Sequence, residues 1–443
     1  MTRARDEHDA IVVGAGLAGL TAALHLQRAG RRTVLIERRA KVGGLCGTFA
    51  HEGHEFVVGC NDFGAGLERE LHELGVEISF HHPRTAMFFE GGRVEHPPGP
   101  GTALRLLRKL PAIARAILGA RHADTITLGQ LVDRHVRDPW LADVACLPAF
   151  AMMRSPDDVM LSAIAADFSK EHGYGYDVSA TPVGGPQAMA DAMARRFREL
   201  GGALLLEHAC LARRREGTLH VVETPTGELR ARALLSSEGR WGFYPPGTKK
   251  GLEVASLLLA MEASFPFPDG LHAIDGFPRG LASVLRALEG GRPVGAFPVH
   301  LFRADLRPRD GLVTANALLV LPRGERALAP ARRHALQQHA LATLDVLLPG
   351  FSAAVRGAWL LDPIEYAERV GLSCAPSRYV PPLGFGKPPS YDAARDIHFI
   401  GVSAGPPGDH AGAAVRSGSL AARSAQRALE ASRAHRPINN PAS

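Results

Sequence analysis

Between Asp9 and Gly30 the chain passes from a continuous apolar run, Ala10 to Val13, through three glycines into a stretch whose apolar positions recur at helical spacing. That change of period predicts a short buried strand, a tight turn and a helix beginning near Leu17. After Gly30 the run R-R-T-V-L-I-E-R predicts a second buried strand ending at Glu37. His51 to Leu74 reads as a strand pair, a polar G-C-N-D-F-G turn and an amphipathic helix, and F-F-E-G-G-R-V has the turn chemistry of a hairpin. A helical region extends from about Thr102 to Ser169. Another helix, from Pro186 to Leu200, carries Met189, Met193, Phe197 and Leu200 at the spacing of a core face, with proline at its start. Strands follow in A-L-L-L-E-H-A-C, in A-R-A-L-L-S-S after a turn-rich excursion around Gly217 and Gly227, and in S-L-L-L-A-M-E-A and G-L-V-T-A-N-A-L-L-V-L. No internal repeat is visible.

One helical segment has two readings. A-L-R-L-L-R-K-L-P-A-I-A-R-A-I-L places Leu104, Leu107 and Leu110 on one side with arginines between them, a pattern suited to a membrane surface. Pro111 interrupts the stripe and charged residues are few, which favours a helix packed on its own domain.

Composition narrows the class without deciding it. The 443 residues set a prior of about two or three domains. A content of 46% hydrophobic and 22% charged residues is that of an ordinary α/β protein. The net charge of +6 is spread along helical faces and forms no basic tract with interleaved aromatics, so nucleic acid is not an expected partner. Five cysteines, Cys46, Cys60, Cys146, Cys210 and Cys374, form no CxxC pair and no Cys/His cluster with metal-ligand spacing. They are expected as reduced thiols in a cytoplasmic protein. The first apolar run is too short for a signal peptide, and no stretch reaches the length that crosses a bilayer, which leaves membrane contact at most peripheral.

The candidate chemistry begins at the first turn. Gly14, Gly16 and Gly19 have G-x-G-x-x-G spacing: the first permits the turn, the second admits a pyrophosphate to the backbone, and the third lets helix pack on strand. Phosphates would sit at the helix start, Leu17 and Ala18, on its positive end. Glu37, followed by Arg38, stands where an acid takes the ribose hydroxyls of an adenosine. NAD satisfies all of this as well as FAD does.

The next segment, K-V-G-G-L-C-G-T-F, separates the two. Its doublet Gly43-Gly44, a few residues after the ribose acid, resembles the FAD-binding signature of the flavin amine oxidase and phytoene desaturase superfamily. Leu45 stands where the amine oxidases usually carry arginine, and in this the chain is more similar to the phytoene desaturase and carotenoid isomerase branch. T-P-V-G-G-P resembles the point at which such chains return to the FAD domain. D-I-H-F-I-G-V-S-A-G-P-P-G-D-H-A-G-A-A-V, from Asp396, resembles the C-terminal FAD signature, with Gly401 ending a strand and Gly412 and Ala413 opening a helix aimed at the flavin's pyrimidine edge. A helix N-terminus there would stabilise the negative charge of a reduced flavin. Val402 and Ser403 replace the acid usual after the strand glycine, which puts one side-chain contact in doubt.

The resemblance implies a Rossmann-like, glutathione reductase-type α/β fold, with a substrate domain of mixed sheet and helices inserted into it. The FAD-binding parts are expected at 1–85, 178–240 and 377–430, the substrate-binding parts at 86–177 and 241–376, and a disordered tail at 431–443. Backbone near Ala209 and Cys210 is expected at the adenine. A second G-x-G-x-x-G for a nicotinamide nucleotide is absent from the sequence. The expected activity is transfer of a hydride from a C–N or C–C single bond of a medium-sized, fairly apolar metabolite to flavin N5, in secondary metabolism, with oxygen or another acceptor reoxidising the flavin. Candidates for the proton role are His410, Asp409, His172, Tyr174 and Tyr176, and Asn61, with Asp62, is a catalytic candidate expected to face the flavin ring, each with the alternative of a structural hydrogen-bonding group. Two further readings stay open: a redox-neutral isomerase or desaturase of an isoprenoid, and a binding protein like the Rab escort and GDP-dissociation-inhibitor proteins.

Overall fold

In the computed structural model the described residues are 7–60, 63–90, 92–120, 125–239, 241–303, 308–371 and 379–434. The first predicted strand, Glu7–Val13, lies inside an eight-stranded sheet. It pairs in parallel with Thr33–Ile36 on one side and Gly227–Ser236 on the other, while Ala203–Leu205 extends the parallel array beyond Thr33–Ile36. Ile397–Phe399, the strand ahead of Gly401, adds to Gly227–Ser236 in parallel. Leu219–Thr224 and Ala212–Glu216 extend the sheet as an antiparallel excursion, and the eighth strand, Tyr391–Asp392, pairs antiparallel with Ile397–Phe399.

A parallel sheet buries both faces, and the alternation in the first strand serves that requirement. Ala10 and Val12 point into a cluster with Leu20, Leu24, Met193 and Ala421, whereas Ile11 and Val13 join Val34, Ile36, Leu234 and Phe399 on the other face. Three helices cover the first face: Leu17–Arg28, Gly185–Glu199 and the closing helix Ala411–Ala434. The strand predicted in A-L-L-L-E-H-A-C is limited to Ala203–Leu205, because the chain turns at Glu207, whose φ is 59°.

A second sheet of seven strands runs in the order Val355–Leu361, Glu253–Glu262, Leu312–Leu321, Val299–Arg303, Leu271–Gly276, Arg84–Phe89, Gly92–His96. Its pairs are antiparallel except for Leu271–Gly276 beside Arg84–Phe89. One face, with Leu257, Leu259, Ile274, Val299, Leu301, Ala317 and Leu319, packs on the helices of the 100–167 region. Two of those helices start where side chains cap them. Thr127 and Gln130 form a reciprocal capping box, and the Asp138 carboxylate accepts from the Leu141 N–H at 3.0 Å.

The helices Pro100–Arg108 and Leu110–Gly119 depart from expectation. The favoured reading packs Leu104, Leu107 and Leu110 on the domain, yet they are 52%, 58% and 53% exposed. The segment carries a second apolar stripe, with Leu106, Ile113 and Ala116, and that stripe meets the core. The closing helix also runs on to Ala434, past the expected start of a tail at 431. Among the described residues, no helix is long and apolar enough to cross a membrane.

Candidate functional site

Three short segments converge at the carboxyl end of the strand Glu7–Val13, where ligands of open α/β sheets bind. Gly14 leaves the strand at φ 95°, and a Cβ there would come within 2.0 Å of Ser237 Oγ. Gly19 lies on the Gly14 carbonyl so closely that its Cβ would be 1.8 Å from that oxygen. Both positions are closed by the protein itself. Gly16 differs: the nearest atom to its Cβ position is Gly44 Cα at 4.0 Å. The helix begins directly afterwards at Leu17, with Leu17 and Ala18 in its first turn.

The Gly43-Gly44 doublet is folded onto this turn. Gly43 and Gly16 form a parallel bridge, with the Gly43 N–H donating to the Ala15 carbonyl at 2.8 Å. Gly44, at φ 58°, is the residue a Cβ would drive to 3.2 Å from Gly16 Cα. Leu45 follows in a short 3-10 turn and is 42% exposed. Next to it the Cys46 thiol is held well above its ordinary range by a hydrogen bond with Cys60 and by burial.

Glu37 reaches the same place from the end of the second strand. Its carboxylate accepts from the Ala15 N–H at 2.8 Å and from the Arg39 N–H at 3.0 Å, and the residue is 8% exposed. The Glu37 carbonyl accepts from the His208 N–H at 2.8 Å, which brings the segment approaching Cys210 alongside. Burial pushes the Cys210 thiol up to about 11. Arg38 points away and donates to the Gly371 carbonyl.

The C-terminal motif closes the other end. Gly401, at φ 91°, donates its N–H to Ser417 Oγ at 3.2 Å, so the strand end is tied to the closing helix. His410 precedes that helix and caps it. Its carbonyl accepts from Ala414 N–H at 3.1 Å and its Nδ1 from Ala413 N–H at 3.2 Å. A ring nitrogen that accepts carries no proton, which leaves the proton on Nε2, 3.0 Å from Asp167 Oδ1. Gly412 sits against Tyr174, whose Cβ would be 3.3 Å from an added methyl.

The structure gathers four of the six catalytic candidates. Tyr174 and Tyr176 meet the His410 ring edge-on at centroid distances of 4.6 and 4.7 Å, and His172 stacks on Tyr174 at 5.3 Å. Tyr174 donates to the Pro407 carbonyl at 2.5 Å, and burial, with Asp167 second, pushes its phenol above the ordinary range. Asp409 lies apart from the rings, bound by Arg154 at 2.7 Å and Lys387 at 2.8 Å. Asn61 and its neighbour Asp62 lie outside the described residues, as does Cys374.

Another titratable pair escaped the sequence reading. His300 Nδ1 is hydrogen-bonded to the Asp275 carboxylate across adjacent strands of the second sheet. Asp275 is 5% exposed and His300 is partly buried. Phe302, on the same strand face, lies 5.3 Å from the imidazole and packs with Ala273 on Val57. Asn316 of the same sheet donates to the Val57 carbonyl at 3.0 Å. Val57 ends the hairpin Thr48–His51/His54–Val57, and the next residue, Val58, donates to the Gly47 carbonyl beside the doublet at 2.9 Å. The face with the Asp275–His300 pair thus covers the hairpin that issues from the glycine cradle. The available signal was one acid and one histidine interrupting apolar strand runs, A-I-D-G-F and P-V-H-L-F.

A glycine turn open at Gly16, a buried ribose-side acid and a helix N-terminus at the sheet's carboxyl end define a dinucleotide-binding protein of the Rossmann type. Residues 12–74 match the family described as NAD(P)-binding Rossmann-like domain. The human all-trans-retinol 13,14-reductase is 43% identical over 100 residues, 20% of this chain and 16% of that protein. The putrescine oxidase of Kocuria rosea is 26% identical over 227 residues, 44% of this chain and 47% of that protein. The chain's matches to the retinol reductases span less than a fifth of those proteins' own length. A solved putrescine oxidase, bound to putrescine, superposes on 96% of this chain and 99% of its own with a TM-score of 0.63 at 19% identity. The chain has that fold: a Rossmann-like domain interrupted by a mixed sheet with helices.

Proposed function

We propose that this chain is an FAD-dependent oxidoreductase that takes a hydride from a C–N or C–C single bond of a medium-sized, fairly apolar small molecule. The observation that carries the reading is the bridge between Gly16 and Gly43. It sets the doublet beside the pyrophosphate turn, where an NAD site needs no second glycine loop. The residues present fit the group. Gly16 is open where Gly14 and Gly19 are closed, and Glu37 is buried with its carboxylate fixed by two N–H donors. Gly14, Gly16, Leu17, Ala18, Gly19, Gly43, Gly44 and Leu45 would hold the pyrophosphate and ribityl parts, Glu37 and the backbone near Cys210 the adenosine, and Gly401, Gly412 and Ala413 the ring's polar edge.

A bound flavin supplies the hydride acceptor, and the chain supplies orientation and proton handling. His410, with Nδ1 committed to Ala413 and Nε2 to Asp167, acts as a positioning residue that fixes the start of the closing helix. His172, Tyr174 and Tyr176 form the wall that seats it. In this reading His300 handles the proton: its Nδ1 is bonded to the Asp275 carboxylate on the sheet face that covers the hairpin from the glycine cradle. In this reading the parts 1–85, 178–240 and 377–430 would make up the cofactor domain, and 86–177 with 241–376 the substrate domain. Oxygen or another acceptor would reoxidise the flavin, and the setting would be cytoplasmic.

Purified protein should show a flavin spectrum. Anaerobic addition of amines, amides and isoprenoids should bleach it for the true substrate class, with colour returning in air for an oxidase. A colourless protein that takes up no added FAD sinks the proposal.

A further inference from the structure

We propose that the helix pair Pro100–Arg108 and Leu110–Gly119 is a docking surface for an anionic phospholipid bilayer. Leu104, Leu107, Leu110, Ile117 and Leu118 are each more than half exposed, the last two at 63% and 54%. Large apolar side chains exposed singly need no explanation, but five within 15 residues of one helix pair form a patch. The pair is anchored from behind by Leu106, Ile113 and Ala116, so the outward leucines are not waiting for a place in this protein's own core.

Charge selects the occupant. The segment 100–119 holds Arg105, Arg108, Lys109 and Arg115 and no acid at all. Arg108 and Arg115 are exposed beside the leucines. Arg105, Arg108 and Lys109 also line a cleft of about 590 Å³ with Arg279 and Trp140, where Arg105 lies over the Trp140 ring at 5.2 Å. Glu90, Asp138 and Asp143 line the same cleft, where Asp138 is bonded to Lys109 and Glu90 pairs with Arg279 at 3.5 Å, so the exposed Arg108 and Arg115 carry the patch's outward charge. An apolar ridge bordered by long cationic side chains matches the acyl boundary and the phosphate layer of a bilayer, with the arginine stems lying along the leucines and their heads in the headgroups. A second copy of the chain fits poorly, because a two-fold contact through the leucines would set the exposed Arg108 and Arg115 against their own copies. The helices are too short to cross, so the contact lies in the interface plane.

The test is flotation of the intact chain with vesicles of phosphatidylcholine alone and of phosphatidylcholine mixed with phosphatidylglycerol. Binding to the mixed vesicles, weakened by salt, is expected. Leu104→Ser/Leu107→Ser/Leu110→Ser should lose at least roughly tenfold in partitioning, and Arg108→Gln/Arg115→Gln roughly fivefold per arginine, on mixed vesicles only. All five positions are surface-exposed or solvent-facing, so melting temperatures should be preserved. The arginine variant decides the matter should the serine variant fold badly. No binding to mixed vesicles, or binding that both variants retain, overturns the proposal. A lipid-free dimer that the serine variant dissociates also overturns it, by assigning the face to a second copy.

Discussion

Gly16 faces Gly44 across the mouth of the glycine cradle, with 4.0 Å between the position a Gly16 side chain would begin and the Gly44 α-carbon. Two glycines 28 positions apart thus line one opening, while Gly14 and Gly19 are pressed into the protein.

That contrast separates two kinds of glycine. Gly16→Val should fold with a near-normal melting temperature and bind no flavin, because its side chain enters ligand space and not protein space. Gly19→Val should instead cost about 1–3 kcal/mol or more by pushing on the Gly14 carbonyl. Absorbance at the flavin bands and thermal denaturation of both variants check the pair; a Gly16→Val protein with full flavin occupancy would falsify the assignment of the cradle.

Glu37→Ala removes the acceptor of two backbone N–H groups as well as the ribose contact. We expect flavin affinity to fall about 10- to 100-fold, with about 1–3 kcal/mol of apo-protein stability lost to the unpaired Ala15 N–H. Fluorescence titration with FAD and urea denaturation measure the two effects separately.

For His300→Gln and Asp275→Asn, turnover should fall by about 10²- to 10⁴-fold while the flavin spectrum is retained. Stopped-flow reduction under anaerobic conditions is the measurement. Rates within about twofold of the parent, against the factor expected for general-base loss, would return the pair to a structural role.

His398 lies inside the dinucleotide-binding sheet at 3% exposure, and burial, opposed by Asp396 and reinforced by His220 and Arg427, pushes its pKa down to about 4. An unfolded histidine titrates near 6.5. Between those values the unfolded chain binds the extra proton, so stability is fully present above about pH 6.5 and is lost as pH falls toward 4. The His220 imidazole, also held below its ordinary value by burial, acts in the same direction. The unfolding free energy from urea titration should therefore drop on acidification, by about 2–3 kcal/mol for His398 alone, and His398→Phe should flatten the slope. A slope unchanged by that substitution would rule out His398 as its source.

The sequence made the cradle legible because its parts are local. Three glycines, a strand on each side and Glu37 lie within 30 positions, and each obeys a turn or period rule that holds before any tertiary contact forms. His410 was legible as a neighbour of the closing helix but not as its cap, because its Asp167 partner is 243 positions away. Asp275 and His300 meet only through strand pairing, which no local period announces. The outward leucines of residues 100–119 were misread for a related reason. The segment has two apolar stripes, and the sequence does not say which one the domain claims.

The closing helix approaches the first helix closely enough that a Cβ on Gly418 would lie 2.3 Å from the Ala18 carbonyl. The two surfaces are about 400 residues apart in sequence. On the ribosome the glycine turn therefore emerges long before the helix that packs on it. A nascent chain therefore carries an unfinished nucleotide site over that whole interval, and cofactor loading waits on the docking of one helix.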